Sequence, residues 1–217
     1  MAENPHIPEG FSDREFWTEV LRKWLWLLEQ YEEVDSPDPD VAYWYGERPL
    51  TGLLGTAAWL INGWSLEEFG ADRWKKRKGE LHRAYGDLWL GCNHGQPLGN
   101  ATVEAKICWI EQTNIETTVR ELKGKLNNAR KQLRQLIQMH RVGTPVSVCY
   151  AVPCFGGEKG KERGEEAVRQ LETQMRKLGL ATANHLVGNE ITDKEDPARP
   201  RYPGVLLVAR QEQWRES

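Results

Sequence analysis

Residues 101–110, Ala-Thr-Val-Glu-Ala-Lys-Ile-Cys-Trp-Ile, carry two charged side chains on an otherwise apolar stretch. Side chains alternate between the two faces of a strand, so Glu104 and Lys106 share one face and the apolar residues around them take the other. Glu and Lys are rarely buried unless they are paired. The stretch therefore predicts a central strand whose two charges have a partner or a chemical role.

The residues just before it predict a neighbouring strand. Residues 85–90, Tyr-Gly-Asp-Leu-Trp-Leu, carry Asp87 among apolar residues, and the turn-rich stretch 91–100 joins the two strands. If the strands pair as a hairpin, Asp87 lies beside Glu104, with the ammonium of Lys106 one pleat away. Two carboxylates and a lysine on neighbouring strands are the groups that a divalent-metal phosphodiesterase requires.

Apolar periodicity extends this interpretation to the rest of the chain. It predicts helices over 12–34, 50–62, 115–140 and 165–178, and strands over 68–75, 85–90, 101–110, 144–152, 185–191 and 205–210. This order of elements is typical of an α/β fold with three layers and a mixed central sheet. No internal repeat is evident.

Composition limits the class of protein. The 217 residues suit one domain, and 39% hydrophobic with 28% charged residues is ordinary for a globular protein. The net charge of −3 gives no global basic field, so an enzyme acting on nucleic acid would need a local basic patch. Residues 1–5 lack the pattern of a signal peptide, and the apolar stretches are too short to span a bilayer. We expect a cytoplasmic protein with no membrane partner.

Two residue types need an explanation. Four cysteines occur (Cys92, Cys108, Cys149 and Cys154), without a Cys-x-x-Cys pair, so buried free thiols are favoured over a zinc site. Ten tryptophans occur, many of them in the first half. Rings that fill the core, with partnered indole N–H groups, are the favoured interpretation, and stacking platforms for bases are the alternative.

The charged groups on the two strands suit metal chemistry. Mg²⁺ prefers hard oxygen ligands, so Asp87 and Glu104 are predicted as ligands, with the carbonyl of Ala105 as a third. Mn²⁺ is expected to substitute for Mg²⁺. Lys106 would orient or deprotonate the attacking water, or stabilise developing charge. A half-exposed salt bridge is the alternative, since 121–123 shows the same Glu-x-Lys spacing on a predicted helix.

Tyr85-Gly86-Asp87 together with Glu104-Ala105-Lys106 resembles the PD-(D/E)XK nuclease superfamily, whose members have a restriction-endonuclease-like fold. The resemblance implies an αβββαβ core over 47–152 and Mg²⁺-dependent cleavage, of DNA more often than RNA. It also implies a metal-holding glutamate on the first core helix, which here is Glu47. The chain departs from the pattern at Gly86, where a proline is usual.

The domain organisation follows from this resemblance and from the element order. We expect a single nuclease-like domain over 1–217. It comprises an N-terminal helical extension (1–36), the catalytic core (47–152) and a C-terminal helix with strands (165–217).

The helix after the acid-x-Lys strand is basic. Residues 115–141 contain seven Lys or Arg against two Glu, a local excess of five. Beside the acidic site such a face is suited to phosphate contacts, although a solvated helix face is the alternative. The residues predicted to contact nucleic acid are Lys123, Asn127, Arg130 and Arg134, with Gln112 bordering the site.

These observations favour a Mg²⁺-dependent endonuclease with DNA as its partner. Two other classes stay open. One is a non-catalytic binding module that has kept the fold. The other is a protein-interaction domain whose tryptophan-rich first helix docks a recruiting partner. A homodimer through the apolar face of residues 16–31 is also compatible with the sequence.

Overall fold

A computed structural model describes residues 4–32, 41–75, 80–92, 100–111, 114–136, 143–156, 159–186 and 203–214, with the backbone alone for 70–75 and 80–84. The helices of this part are α1 (Arg14–Glu32), α2 (Glu47–Leu60), α3 (Ile115–Leu133) and α4 (Gly160–Lys177), with a short 3₁₀ helix at Ala42–Tyr45. The strands are β1 (Gly63–Lys75), β2 (Glu80–Cys92), β3 (Ala101–Ile110), β4 (Thr144–Pro153), β5 (Ala181–Leu186) and β6 (Gly204–Gln211).

The strands form one mixed sheet in the order β1-β2-β3-β4-β6-β5. The β3–β4 pair is parallel and the other pairs are antiparallel. Parallel neighbours need a crossover connection, and α3 supplies it between β3 and β4. The predicted α/β class with a mixed sheet is therefore confirmed.

Helices cover both faces of the sheet. Val103 and Ala105 of β3 belong to the core formed with α1 and α2. Cys108 and Ile110 of the same strand belong to the core formed with α3 and α4. Because helices lie on both sides of β3, this strand has buried apolar residues on both faces.

Several element boundaries differ from the predicted ones. β1 begins at residue 63 instead of 68, β5 at 181 instead of 185, and α2 at 47 instead of 50. α4 begins at Gly160 instead of residue 165, and within this added turn Gly164 packs so closely on Pro203 that a Cβ would lie 2.3 Å from its ring. The predicted ends of the third helix (137–140) and of the fifth strand (187–191) lie outside the described residues.

The apolar face of α1 packs within the chain. Trp17, Val20, Leu21, Trp24, Leu25 and Leu28 are buried in the core shared with α2 and the sheet. The face considered for dimer formation is therefore already covered by this protein's own core. No helix in the described ranges combines the length and apolar character needed to cross a membrane.

The tryptophan prediction is correct only in part. Trp17 and Trp24 fill the core, and the indole N–H of Trp24 donates to the carbonyl of Leu50 at 3.2 Å. The other tryptophan side chains that the structure describes in the first half of the chain are partly or largely exposed: Trp26, Trp44, Trp59, Trp64 and Trp89.

The thiols divide into two pairs, and all four are free. Cys108 and Cys149 are buried as expected, whereas Cys92 and Cys154 are half-buried. Burial raises the pKa of Cys108 to about 11 and also raises the pKa of Cys149. The buried pair is therefore protonated and inert at neutral pH.

Candidate functional site

The site lies where β2 separates from β3. The two strands pair from Leu90–Ala101 to Leu88–Val103 and no further. At the next position the carboxylate of Asp87 accepts a hydrogen bond from the backbone N–H of Ala105 at 2.8 Å. A side chain thus replaces the strand partner that Ala105 would otherwise have, and this satisfies a backbone donor at the split.

Lys106 lies at the centre of the site. Its ammonium donates a hydrogen bond to the carbonyl of Ala105. It also lies 3.6 Å from Asp87 Oδ2 and 3.6 Å from Glu47 Oε1. Three oxygen atoms from three elements, α2, β2 and β3, therefore converge on one cationic nitrogen.

Glu47 reaches this nitrogen from the first turn of α2. A carboxylate is favoured at a helix N-terminus because of the helix dipole. Burial raises the pKa of Glu47 above its ordinary value, and the positive charge of Lys106 offsets part of that rise. The carboxylate also accepts a hydrogen bond from the backbone of Ile107. The structure thus brings together Glu47, which the resemblance implied, with Asp87 and Lys106, which the two strands suggested.

Glu104 is buried on β3, with no exposed side-chain surface. By strand alternation it shares a face with Lys106, and its register partner on β4 is Ser147. Within the described ranges no group of three or more His, Cys, Asp or Glu side chains is arranged to hold a metal ion. Glu104 therefore does not complete such a group with Glu47 and Asp87.

The oxygen atoms around the ammonium nevertheless suit a hard cation. Two carboxylates and one backbone carbonyl are the donor types that Mg²⁺ and Ca²⁺ accept. The Lys106 ammonium serves as the cation among them in this structure. Glu47, Asp87 and the carbonyl of Ala105 are thus the residues that fit a divalent ion, and Glu104 lies on the same strand beside them.

A second polar cluster, not predicted from the sequence, lies between α3 and the sheet. Glu212, which is nearly buried, accepts a hydrogen bond from Ser147 at 2.9 Å and one from Arg210 at 2.6 Å. Arg130 of α3 lies 3.2 Å from its other oxygen. Ser147 belongs to an otherwise apolar strand, and this was the one sequence signal for the cluster.

This second cluster involves two residues predicted to contact nucleic acid. Arg130 pairs with Glu212, and Asn127 accepts a hydrogen bond from Arg210 at 3.2 Å. Arg134 lies at the C-terminal cap of α3 and is half-buried, whereas Lys123 is exposed. Gln112 lies outside the described residues. Of the described members of the set, Lys123 and Asn127 are thus exposed to solvent, and Asn127 is also held by its hydrogen bond with Arg210.

Gly86, which departs from the superfamily pattern, has a structural explanation. It is the register partner of Phe69 on β1. A Cβ at position 86 would lie 2.3 Å from the Phe69 ring, so the ring fills the space that any side chain there would need. Aromatic rings that cover a cross-strand glycine are a known device for stabilising sheets.

Comparisons of this chain with family models, with curated proteins and with solved structures found no match. Membership of the nuclease superfamily therefore stays a hypothesis that depends on the two motifs and on the order of the elements.

Proposed function

We propose that this protein is a metal-dependent nuclease that hydrolyses phosphodiester bonds, in DNA rather than RNA. The observation that carries the proposal is the convergence of oxygen atoms from Glu47, Asp87 and Ala105 on one cation position at the split between β2 and β3. A Mg²⁺ ion held there would supply charge neutralisation at the phosphate and a more acidic water.

Each charged residue of the site has a proposed role. Asp87 and Glu47 would hold the ion, because each already directs an oxygen at the same cation. Glu104 completes no metal-binding group with them among the described residues of the metal-free structure, and we propose that its carboxylate joins these ligands when the ion is bound. The ammonium of Lys106 would orient or deprotonate the attacking water, or stabilise charge that develops on the phosphate.

The proposed fold type is the restriction-endonuclease-like core. Its support is the observed order α2-β1-β2-β3-α3-β4 together with the positions of the charged residues. The aspartate lies where β2 leaves its neighbour, and the acid-x-Lys segment lies on the next strand, β3. This arrangement resembles that of the PD-(D/E)XK superfamily, of which we propose the chain is a member.

A structural role for the same cluster is the second candidate, and one observation favours it. Lys106 is shared by two carboxylates and a carbonyl, so its ammonium already balances one of the two negative charges without any further ion. Such a cluster could serve only to join β2 to α2 where the sheet divides. The protein would then be a binding module that has kept the fold.

Cleavage assays distinguish the proposed nuclease from a protein in which the cluster has only a structural role. Supercoiled DNA, linear DNA, single-stranded DNA and RNA are incubated with Mg²⁺, Mn²⁺ or EDTA, using wild type, Asp87→Asn, Glu104→Gln and Lys106→Met. We expect metal-dependent cleavage of DNA that each substitution lowers by about 100-fold or more. Glu162→Gln and Lys177→Met, both on exposed positions of α4, are matched controls and should cleave like wild type.

Two results would contradict the proposed nuclease activity. One is cleavage that EDTA and all three site substitutions leave unchanged, since it would have to come from elsewhere. The other is a folded protein that cleaves none of the four nucleic acids with either metal, which would support the binding module.

A further inference from the structure

The position of the Lys106 ammonium has a consequence for metal binding. The side chain is mostly buried, with 21% of its surface exposed, and its nitrogen is surrounded by the oxygen atoms of Glu47, Asp87 and Ala105. These are the oxygen atoms proposed above as metal ligands. The ammonium of Lys106 and a bound metal ion would therefore contact the same oxygen atoms.

Two cations cannot share these acceptors at close range. Like charges a few ångströms apart repel strongly in a partly buried site, where water screens them less than in bulk solvent. The ammonium must therefore withdraw before a divalent ion can use all three oxygen atoms. The flexible four-carbon stem of lysine allows such a movement.

We propose that Lys106 is a resident counter-cation that competes with the divalent metal for its site. The inference rests on the proposed function, since it concerns the same site. In the metal-free protein Lys106 compensates Glu47 and Asp87, which keeps two carboxylates close together. On metal binding the ammonium leaves the shared position and becomes available to water or phosphate.

Direct metal binding tests the competition without any cleavage measurement. Mn²⁺ is titrated into metal-free wild type and Lys106→Met by calorimetry, with free Mn²⁺ followed by electron paramagnetic resonance. Methionine keeps an unbranched apolar stem and removes the charge. We expect Lys106→Met to bind Mn²⁺ at least about tenfold more tightly than wild type, which is about 1.4 kcal/mol.

Thermal unfolding provides an independent readout. Without metal, Lys106→Met should melt below wild type, because two carboxylates lose their shared cation. With saturating Mn²⁺ its melting temperature should rise by more than that of wild type, because the stabilisation by a bound ligand grows with the logarithm of its affinity. Lys106→Gln, which can still donate to the Ala105 carbonyl, replaces the methionine variant if that one does not fold.

Two controls give the test its specificity. Lys177→Met removes an exposed lysine from α4 and should bind Mn²⁺ like wild type. Adding Glu47→Gln to Lys106→Met should remove the gain in affinity, because one of the shared oxygen ligands is lost.

Equal or weaker Mn²⁺ binding by both Lys106 variants would overturn the inference, whatever the cleavage assays show. Tighter binding by the variants with no cleavage by wild type would keep the inference and reject the nuclease. Failure of the Lys106 inference and failure of the proposed nuclease function are therefore distinguishable.

Discussion

The carboxylate of Asp87 accepts the backbone N–H of Ala105 at 2.8 Å, so a side chain of β2 stands where a strand partner of β3 would be. The same Oδ2 atom faces the ammonium of Lys106. Asp87 therefore has two tasks: it closes the end of the β2–β3 ladder, and it holds a charged group in the candidate site. A change at this residue affects stability and chemistry together.

Asp87→Ala should lower the free energy of unfolding by about 2 kcal/mol, because a charged hydrogen bond and an ion-pair partner are lost. Asp87→Asn should lower it by less, since an amide oxygen can still accept from Ala105. Urea unfolding of both variants measures the difference. Glu162→Ala on α4 serves as the exposed control, and a loss for Asp87→Ala no larger than the control's would contradict this role.

The raised pKa of Glu47 predicts a pH dependence of stability. Between the ordinary value of 4.5 and the raised value, the folded chain keeps a proton that the unfolded chain has released. The stability contributed by this group is therefore fully present below the ordinary value and is lost as the pH rises through the raised one. Glu47→Gln should remove this loss. Urea unfolding from about pH 4 to about pH 7 measures it, and parallel curves for variant and wild type would contradict the prediction.

The Phe69 ring and Gly86 should be coupled energetically. Gly86→Ala should lower the free energy of unfolding by about 1–3 kcal/mol, because the new methyl group overlaps the ring. In a Phe69→Leu background the same change should have a smaller effect, since the smaller side chain leaves room. A double-mutant cycle from denaturant unfolding gives the coupling energy. Strict additivity would show that the ring can move aside at no cost.

Substitutions at Lys123 and at Arg130 should have different effects, the first on DNA binding and the second on the free energy of unfolding. Lys123→Met should weaken DNA binding and reduce the slope of log K against log salt by about 1, with little change in stability. Arg130→Met should instead lower the free energy of unfolding, by about 3 kcal/mol at most, because nearly buried Glu212 loses a partner. Fluorescence anisotropy at several salt concentrations and urea unfolding measure the two effects. The reverse pattern would assign the phosphate contact to Arg130.

The parts of the molecule that follow a local rule were predictable. Alternation along 101–110 assigns Glu104 and Lys106 to one face whatever the rest of the chain does, and the short connection to β2 makes Asp87 their neighbour. The class of fold follows from the order of periodic segments. Glu47 came from the resemblance alone, because nothing local predicts that the first turn of α2 meets β3.

The parts that depend on distant contacts were not predictable. Helical periodicity separates the polar face of α3 from its apolar face, but it does not say whether a polar residue meets solvent or another strand. Arg130 meets Glu212, 82 positions away by the numbering. At Gly160, where α4 begins inside a glycine-rich stretch, tertiary packing overrides weak intrinsic propensity.

The start of the first helix differs for the same reason. The helix was predicted to begin at residue 12, but α1 begins at Arg14. The Ser12 hydroxyl accepts a hydrogen bond from the side chain of Gln211 at 2.8 Å, and its backbone N–H donates to the same side chain. Ser12 is thus bonded to a residue of β6 and lies outside the helix.

The early separation of β2 from β3 also affects which part of the sheet opens most easily. Beyond Asp87 the pairing of β2 with β1 continues to Lys75–Glu80, while its pairing with β3 has ended. A two-stranded ribbon by itself is only marginally stable in water. Its amide hydrogens should therefore exchange with deuterium earlier than those of β3 and β4, through openings that leave the rest of the sheet intact. Glu104 and Lys106 belong to β3, outside this ribbon, so such openings should leave their positions unchanged.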